Sequence, residues 1–172
     1  MITTLTNSMF LIHLLSGVFI GGTAFLLYGF IAPSVRELGP DGGKIMQMLL
    51  GKYKLPSVMS IVGIFNIGSG FYLLYMKYGH DVSWISTSSG LPLFIGIIAG
   101  LAAWTLATFV FQSPAAKVIV QVGGAIKASG GKPTTDEMQA IDNAKRKMAI
   151  GTKLTVILIT ITIIGMSLSL HL

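Results

Sequence analysis

The sequence predicts an all-α protein, an integral membrane four-helix bundle formed by a single domain over residues 1–172. Four apolar stretches carry this prediction, at about residues 9–32, 57–76, 91–111 and 154–170, and none contains Asp, Glu, Lys or Arg. A helix needs roughly 20 apolar residues to cross a hydrocarbon core about 30 Å thick, so each stretch is long enough. With 52% hydrophobic and 10% charged residues, the chain leaves no segment for a separate soluble domain.

The basic residues predict the orientation of the four spans. Eleven of the twelve Lys and Arg residues lie between spans one and two or between spans three and four, and only Lys77 lies between spans two and three. An excess of Lys and Arg marks the cytoplasmic side of a membrane. We therefore expect a multi-pass protein of the cell membrane, with both termini outside and residues 77–90 forming an outer loop.

The connection between spans one and two is expected to contain a short helix. The first span should end just before Pro33, because proline lacks an N–H donor and restricts the residue that precedes it. Residues 44–53 then place Ile45, Met48 and Leu49 at helical spacing. This pattern predicts a short amphipathic helix at the cytoplasmic interface, with its apolar side on lipid or on a partner.

The other two connections differ in length. The outer loop is short, which favours antiparallel pairing of spans two and three, and Trp84 is predicted to anchor this loop at the membrane interface. Between spans three and four, residues 115–125 can continue the third helix until Gly130 breaks it. Thr134 or Thr135 is suited to cap a new helix that runs into span four. We therefore expect a cytoplasmic helical hairpin below the bundle.

Composition and patterning exclude several classes of function. The net charge of +6 does not indicate nucleic-acid binding, because the basic residues flank membrane spans and form no stripe with exposed aromatic residues. The absence of cysteine removes disulfides and thiolate metal sites. No acidic or basic residue is expected at the membrane midplane, which disfavours a proton-driven carrier. No catalytic set of residues is present, so we do not expect an enzyme in its own right.

Glycines recur at the spacing that membrane helices use for packing. Gly17 and Gly21 are four residues apart in span one, Gly96 and Gly100 are four apart in span three, and Gly70 follows Asn66 at the same spacing in span two. Small residues let two helix backbones approach closely, which is how helices associate in lipid without a hydrophobic driving force. Gly17, Gly21, Gly96 and Gly100 are therefore predicted to lie at helix contacts.

A second group of polar residues in the spans is predicted to join helices through hydrogen bonds. These residues are Asn66 of span two and Thr155, Thr160 and Thr162 of span four.

His13 is the one ionisable side chain in a predicted span, about one turn inside the outer boundary. An ionisable group inside a membrane suggests a functional site. Met9 lies one helical turn before it, and the outer ends of the other spans bring Met76, His80 and His171 to the same surface. Thioether and imidazole ligands suit copper, and a haem b held by His13 is a second possibility. The alternative is that the histidine only makes a structural hydrogen bond.

Part of the first helix and the following loop resembles a known family. Residues 13–22 (HLLSGVFIGG) and 36–43 (RELGPDGG) resemble the first helix and loop of copper-resistance D-type membrane proteins and their uncharacterised relatives. In that family an early histidine precedes a Gly-Gly pair, often with a tryptophan where this chain has Ile20. The resemblance covers about the first quarter of the chain and implies a copper or haem role, for which His13 can be carried over.

Three functions follow from these observations. The first is a non-catalytic subunit or assembly partner in a larger membrane complex of the respiratory or copper-dependent oxidase type, with membrane lipids and other membrane subunits as partners. The second is a copper-handling or haem-binding membrane protein that uses His13 together with Met and His residues of the outer surface. The third is lipid binding at the basic inner face, where Lys145, Arg146 and Lys147 could bind a lipid headgroup or an acidic partner.

Overall fold

The computed structural model describes residues 2–130 and 133–169, which form five helices and one short 3₁₀ helix. The helices are α1 (Thr3–Glu37), α2 (Pro40–Gln47), α3 (Leu55–Tyr78), α4 (Gly90–Ser129) and α5 (Thr135–Leu168), and the 3₁₀ helix is Ser83–Ser86. The described residues include no strand. Every helix except α2 is long and apolar enough to cross a membrane, which confirms the all-α prediction and the four long apolar helices.

Helices α1 and α4 run through prolines because each widens into a π-helix just before one. The π-helical segments are Leu27–Ile31 in α1 and Leu106–Phe111 in α4, where Pro114 follows. Proline disrupts a helix partly because its ring clashes with the carbonyl four residues earlier, and the wider π turn gives the ring more room. The expectation that the first helix ends at Pro33 is therefore wrong, since α1 continues to Glu37.

The four long helices pack mainly as two antiparallel pairs, α1 with α3 and α4 with α5. The pairs meet at a small apolar core that contains Ala24 of α1, Ala103 of α4, and Val156 and Ile159 of α5. Helices α3 and α4 make fewer contacts with each other, although only a short loop joins them. The closest pairings are therefore between the first and second long helices and between the third and fourth.

The contact between α3 and α4 is centred on Trp104. Its indole Nε1–H donates to the carbonyl oxygen of Ser60 at 3.2 Å, and the ring lies directly on Gly63. The hydroxyl of Ser60 also lies 3.3 Å from that of Thr108. A Cβ atom added at position 63 would overlap the indole ring. The absence of a side chain at Gly63 therefore lets Trp104 reach the backbone of α3.

Gly63→Ala is expected to lower the free energy of unfolding by about 1–3 kcal/mol, because the added methyl group overpacks the contact with Trp104. Unfolding can be followed by far-UV circular dichroism while SDS is titrated into mixed micelles. Gly68→Ala is the matched control, since a Cβ there meets nothing within 4 Å. Trp104→Phe in the Gly63→Ala background should recover part of the loss. Equal stabilities for the two alanine variants would contradict this account.

Beyond the apolar stretches, helices α4 and α5 continue as a hairpin, and α2 packs against it. We call this part of the molecule the cap and define it as residues 36–54, 112–130 and 133–153. Its buried core contains five residues, Leu50, Ala115, Ala116, Ile119 and Ala144. The order of contacts along the hairpin shows how α2 lies on it: Gln47 is next to Gly123, and Gly51 is next to Val120. The cap therefore has its own packed interior.

Helix α2 lies in the segment predicted to be an interfacial helix, but it starts earlier and has a packed side. It begins at Pro40 and extends as a π-helix over Met48–Lys52. Met46 and Leu50 contact the core of the cap, whereas the side chains of Ile45 and Met48 are 40% and 45% exposed. Of the apolar residues at the predicted spacing, Ile45 and Met48 thus remain exposed and Leu49 is half-buried, whereas Met46 and Leu50 hold the helix in place.

The turn between α4 and α5 follows the local sequence. Gly130 ends α4 in the left-handed region, with φ of 61°, where a residue without a Cβ is favoured. Thr134 caps α5 by accepting from the N–H of Glu137, whose carboxylate accepts from the N–H of Thr134 at 2.8 Å. This reciprocal pair is a capping box. It confirms the predicted break at Gly130 and selects Thr134 as the cap.

Candidate functional site in the α1–α3 interface

His13 of α1 and Asn66 of α3 bind each other reciprocally. The Nδ1 atom of His13 lies 2.8 Å from the backbone carbonyl oxygen of Asn66. The side-chain Nδ2 of Asn66 donates to the backbone carbonyl of His13 at 2.8 Å and to the hydroxyl of Ser16 at 2.9 Å. Each of the two side chains therefore bonds the other residue's main chain, which fixes the two helices in register.

The two oxygen atoms nearest to Nδ1 of His13, the carbonyl of Asn66 and the hydroxyl of Ser69, determine which ring nitrogen carries the hydrogen. Ser69 directs its hydroxyl hydrogen at carbonyls of its own helix, those of Phe65 at 2.6 Å and Asn66 at 3.1 Å, and its oxygen lies 3.5 Å from the Nδ1 atom of His13. Both neighbours of Nδ1 thus present acceptors, so Nδ1 must carry a hydrogen. Nε2 has no hydrogen-bond partner among the described residues, and in the neutral ring it keeps its lone pair.

Glycines make room for this cluster. A Cβ at Gly70 would lie 2.8 Å from Cε1 of the His13 ring, and one at Gly17 would lie 3.3 Å from Nδ2 of Asn66. Ser16 and Ser69 are buried, with 8% and 3% of their surface exposed. The cluster is therefore a close-packed polar contact between two helices. Asn66 and Gly70, the pair at packing spacing in the second span, both lie in this contact.

The structure places His13 against the middle of α3. Its partner Asn66 is eleven residues from Leu55 and twelve from Tyr78. Along α1, His13 lies two turns before Gly21, which packs on Ile159 and Ile163 of α5. The position of His13 about one turn inside the outer boundary stays a prediction.

Of the other predicted ligands, His80 lies at the far end of α3 from the His13 contact. His80 follows Gly79, which ends α3, and Gly79 is about 13 Å along the helix from Gly70, the residue beside the His13 ring. The His80 ring contacts the edge of Tyr75 at 5.5 Å between centroids. Three further candidates complete the set: Met9 lies half-buried one turn from His13, Met76 is 43% exposed, and His171 lies outside the described residues.

A metal site built from several charged or imidazole ligands is not formed by the described residues. No group of three or more His, Cys, Asp or Glu side chains in ranges 2–130 and 133–169 is placed to hold a metal ion. Methionine sulfur is a further ligand for copper. Among the predicted ligands, His13 and Met9 lie one turn apart on the same face of α1.

The loop between α3 and α4 is held by aromatic stacking. Trp84 is buried and stacks on Tyr78 with 4.8 Å between ring centroids, so it packs within the protein and not as the predicted interfacial anchor. The side chain of Asp81 accepts from the backbone N–H of Ser83 at 2.8 Å. Hydrogen bonds from the backbone and side chain of Ser83 lower the pKa of Asp81. The carboxylate thus stabilises the loop at neutral pH and loses this effect as the pH falls through its pKa.

The four predicted packing glycines all face another helix. Gly17 lies beside Asn66 of α3, and Gly21 lies in ordinary van der Waals contact with Ile159 and Ile163 of α5. Gly96 and Gly100 both lie beside Thr162 of α5, and the Gly96 backbone also approaches Gly165. Gly165 has the tightest surroundings of this group, and the sequence analysis did not identify it.

The threonines of α5 do not bond to Asn66. The hydroxyls of Thr160 and Thr162 donate to carbonyls one turn earlier in α5, at 2.8 and 2.9 Å. Thr155 is buried, and its hydroxyl has no hydrogen-bond partner in the part of the chain that the structure describes. Threonine hydroxyls in helices often bond back to their own backbone, so the presence of Thr in a span does not by itself indicate contact with another helix.

Comparison of the chain with protein-family models, with curated proteins and with solved structures found no match. The resemblance of residues 13–22 and 36–43 to copper-resistance D-type membrane proteins therefore stays a prediction. The function is inferred below from the geometry of the bundle, the cap and the His13–Asn66 contact.

Proposed function

We propose that this protein is a non-catalytic integral membrane subunit, or assembly partner, of a larger membrane complex of the respiratory or copper-dependent oxidase type. The observation that carries the proposal is the cap. Helix α4 is 40 residues long, about 60 Å, and therefore extends about 30 Å beyond a hydrocarbon core of about 30 Å. A packed element that stands clear of the lipid offers a surface to another chain.

The surface of the cap carries exposed apolar residues. They include Ile45, Met48 and Met138, with exposed fractions between 40% and 54%. In the membrane such side chains contact lipid, but on a part of the molecule that projects into water they favour contact with a protein. By the distribution of basic residues, the cap lies on the cytoplasmic side and both termini lie outside.

Within this function, the His13–Asn66 contact holds α1 against α3. Hydrogen bonds between membrane helices contribute about 0.6 kcal/mol each on average and up to about 1.7 kcal/mol. Asn66 makes two such bonds and His13 a third. This is enough to align one helix pair, and it requires no ligand.

A second function is favoured by one feature of the same contact. Because Nδ1–H of His13 donates to a carbonyl, the ring is oriented with the Nε2 lone pair free. Histidines that bind metals are commonly oriented in this way, by donation from the other ring nitrogen to a carbonyl. Nε2 with the thioether of Met9 would suit reduced copper, and Nε2 alone would suit the iron of a haem b. The alternative proposal is therefore a copper-handling or haem-binding membrane protein.

The two proposals are separated by isolating the protein from its native membrane in a mild detergent. The subunit function predicts a colourless, metal-free protein that migrates with other chains during size-exclusion chromatography. Ile45→Ser with Met48→Ser should release those chains, whereas Val82→Ser, which removes a 72% exposed side chain at the opposite end, should not. A metal-free protein that migrates alone would contradict the subunit proposal.

Elemental mass spectrometry and visible absorption of the same fraction test the cofactor function. Stoichiometric copper or a Soret band supports it if the signal is lost in His13→Ala and kept in His80→Ala, whose ring lies at the far end of α3. A signal that survives in His13→Ala would contradict a cofactor bound by this residue.

A further inference from the structure

The charge of the protein is concentrated in the cap. The connections over residues 33–54 and 112–153 contain eleven of the twelve basic residues and five of the six acidic residues, so they hold the whole net charge of +6. The loop end contributes one residue of each sign, Lys77 and Asp81. Anions attracted by the net positive charge of this protein are therefore attracted to the cap.

Within the cap, the charges are sorted by their distance from the apolar helices. The contact of Gly151 with Phe111 marks the level at which the apolar stretches of α4 and α5 end. On α5, Lys153 lies at this level, Arg146 and Lys147 lie within about 8 Å of it, and Asp136 and Glu137 lie more than 20 Å away. The end of the cap near the apolar helices is therefore basic, and the far end carries the acids.

The other segments of the cap follow the same order. On α4, Lys117 lies about 9 Å beyond Phe111, and Lys127 about 24 Å beyond it. Lys52 and Lys54 directly precede α3, which starts at Leu55. Seven exposed basic side chains thus form a layer next to the apolar helices, which we call the basic belt: Arg36, Lys52, Lys54, Lys117, Arg146, Lys147 and Lys153.

The members of the basic belt are not neutralised by the protein. The described part of the chain has two ion pairs, Lys44 with Asp41 at 2.8 Å and Lys145 with Asp142 at 3.7 Å. Lys145 lies at the height of Lys117 but is not counted in the belt because of this pair. Two acidic residues lie near Arg36: Glu37, which follows it, and Asp41, since the start of α2 packs on Val35. Asp41 is already paired with Lys44. The belt is therefore free to bind anions from outside the chain.

We propose that the basic belt binds the phosphate groups of anionic phospholipids in the membrane leaflet on the cap side. The position of the belt along the helices favours this partner, because headgroup phosphates lie at the ends of the apolar spans. The charge of the belt acts within a Debye length of about 8 Å, which reaches these phosphates. An acidic protein would meet the cap over its full height, including the far end where Asp136 and Glu137 would repel it. This inference rests on the membrane insertion in the proposed function and requires no partner subunit.

The test uses the purified full-length protein in nanodiscs that contain phosphatidylcholine and phosphatidylglycerol. Native mass spectrometry of the released protein measures which lipid stays bound. We expect a preference for phosphatidylglycerol of about fivefold or more, lost at high salt, because headgroup attraction is screened. Lys153→Gln should reduce this preference severalfold, since each Lys or Arg near the headgroups contributes about 1 kcal/mol. Lys127→Gln removes the same charge at about 24 Å beyond Phe111 and should leave the preference unchanged.

Each alternative has its own outcome in this experiment. Equal losses in Lys153→Gln and Lys127→Gln would overturn the proposal, since overall charge and not the belt would then determine the preference. Competition by inorganic phosphate to the same extent as by phosphatidylglycerol would also overturn it, because the belt would then be a site for free phosphate. Absence of any lipid preference would overturn it as well, and so would binding of an acidic protein in place of lipid that is lost in Lys153→Gln. Lipid preference requires no partner subunit, so failure of the subunit proposal leaves it unaffected.

Discussion

Gly165→Ala is expected to cause a large loss of stability, because it separates the backbones of α4 and α5. A Cβ at this position would overlap the carbonyl oxygen of Pro92 and would lie 3.0 Å from the Cα and N atoms of Gly96. These neighbours are backbone atoms and have no rotamer to change, so α4 and α5 must move apart. We expect the free energy of unfolding to fall by about 3 kcal/mol, the upper end of overpacking costs. SDS-induced unfolding in mixed micelles measures it.

The matched control is Gly22→Ala in α1, where a Cβ meets nothing within 4 Å. Here alanine should be neutral or slightly stabilising, because it costs less backbone entropy than glycine in a helix. Gly96→Ala, with its nearest atom at 3.1 Å, should fall between the two variants. If Gly165→Ala unfolds at the same SDS fraction as Gly22→Ala, the close approach of α4 and α5 is incorrect.

Asn66→Leu is expected to lower the free energy of unfolding by about 1–2 kcal/mol. The substitution removes the hydrogen bonds to the carbonyl of His13 and the hydroxyl of Ser16, and bonds of this kind contribute about 0.6 kcal/mol on average. His13→Leu removes the bond to the backbone of Asn66 and should cost somewhat less. The same SDS titration measures both variants and the double variant.

The double variant should lose less than the sum of the two single losses, because separation of α1 and α3 by one substitution already weakens the bond that the other removes. Thr105→Val is the control, since its hydroxyl donates only to Leu101 of the same helix and should shift stability by no more than about 0.5 kcal/mol. Full additivity of His13→Leu and Asn66→Leu would show that the two residues do not act as one contact.

The elements that the sequence predicted correctly are those that depend on neighbouring residues. The apolar stretches, the break at Gly130 and the cap at Thr134 are all encoded within a few positions, and the structure has them. The end of the first helix at Pro33 failed as a prediction, although it too is local. A π-helical segment that admits a proline depends on small shifts of the backbone, and no residue type signals it.

The candidate site shows the same division. The sequence singled out His13 as an ionisable group inside a span and Asn66 as a polar group in another, but it did not join them. It proposed the threonines of α5 for interhelical bonds, whereas Thr160 and Thr162 bond within their own helix. The partner of a polar side chain depends on which helix face it meets, and periodicity within one helix does not contain that information.

The sequence alone determined that this chain forms long apolar helices, how many there are, and which connections carry its charge, because length, hydropathy and capping are properties of contiguous residues. The tertiary structure decided that α1 pairs with α3 and α4 with α5, that His13 lies at the middle of α3, and that α2 packs on the hairpin of the cap. The reason is physical. Every span is apolar all round, so hydrophobicity does not distinguish one helix face from another. The choice is made by close contacts of glycine backbones and by a few hydrogen bonds, which exist only when two helices are together.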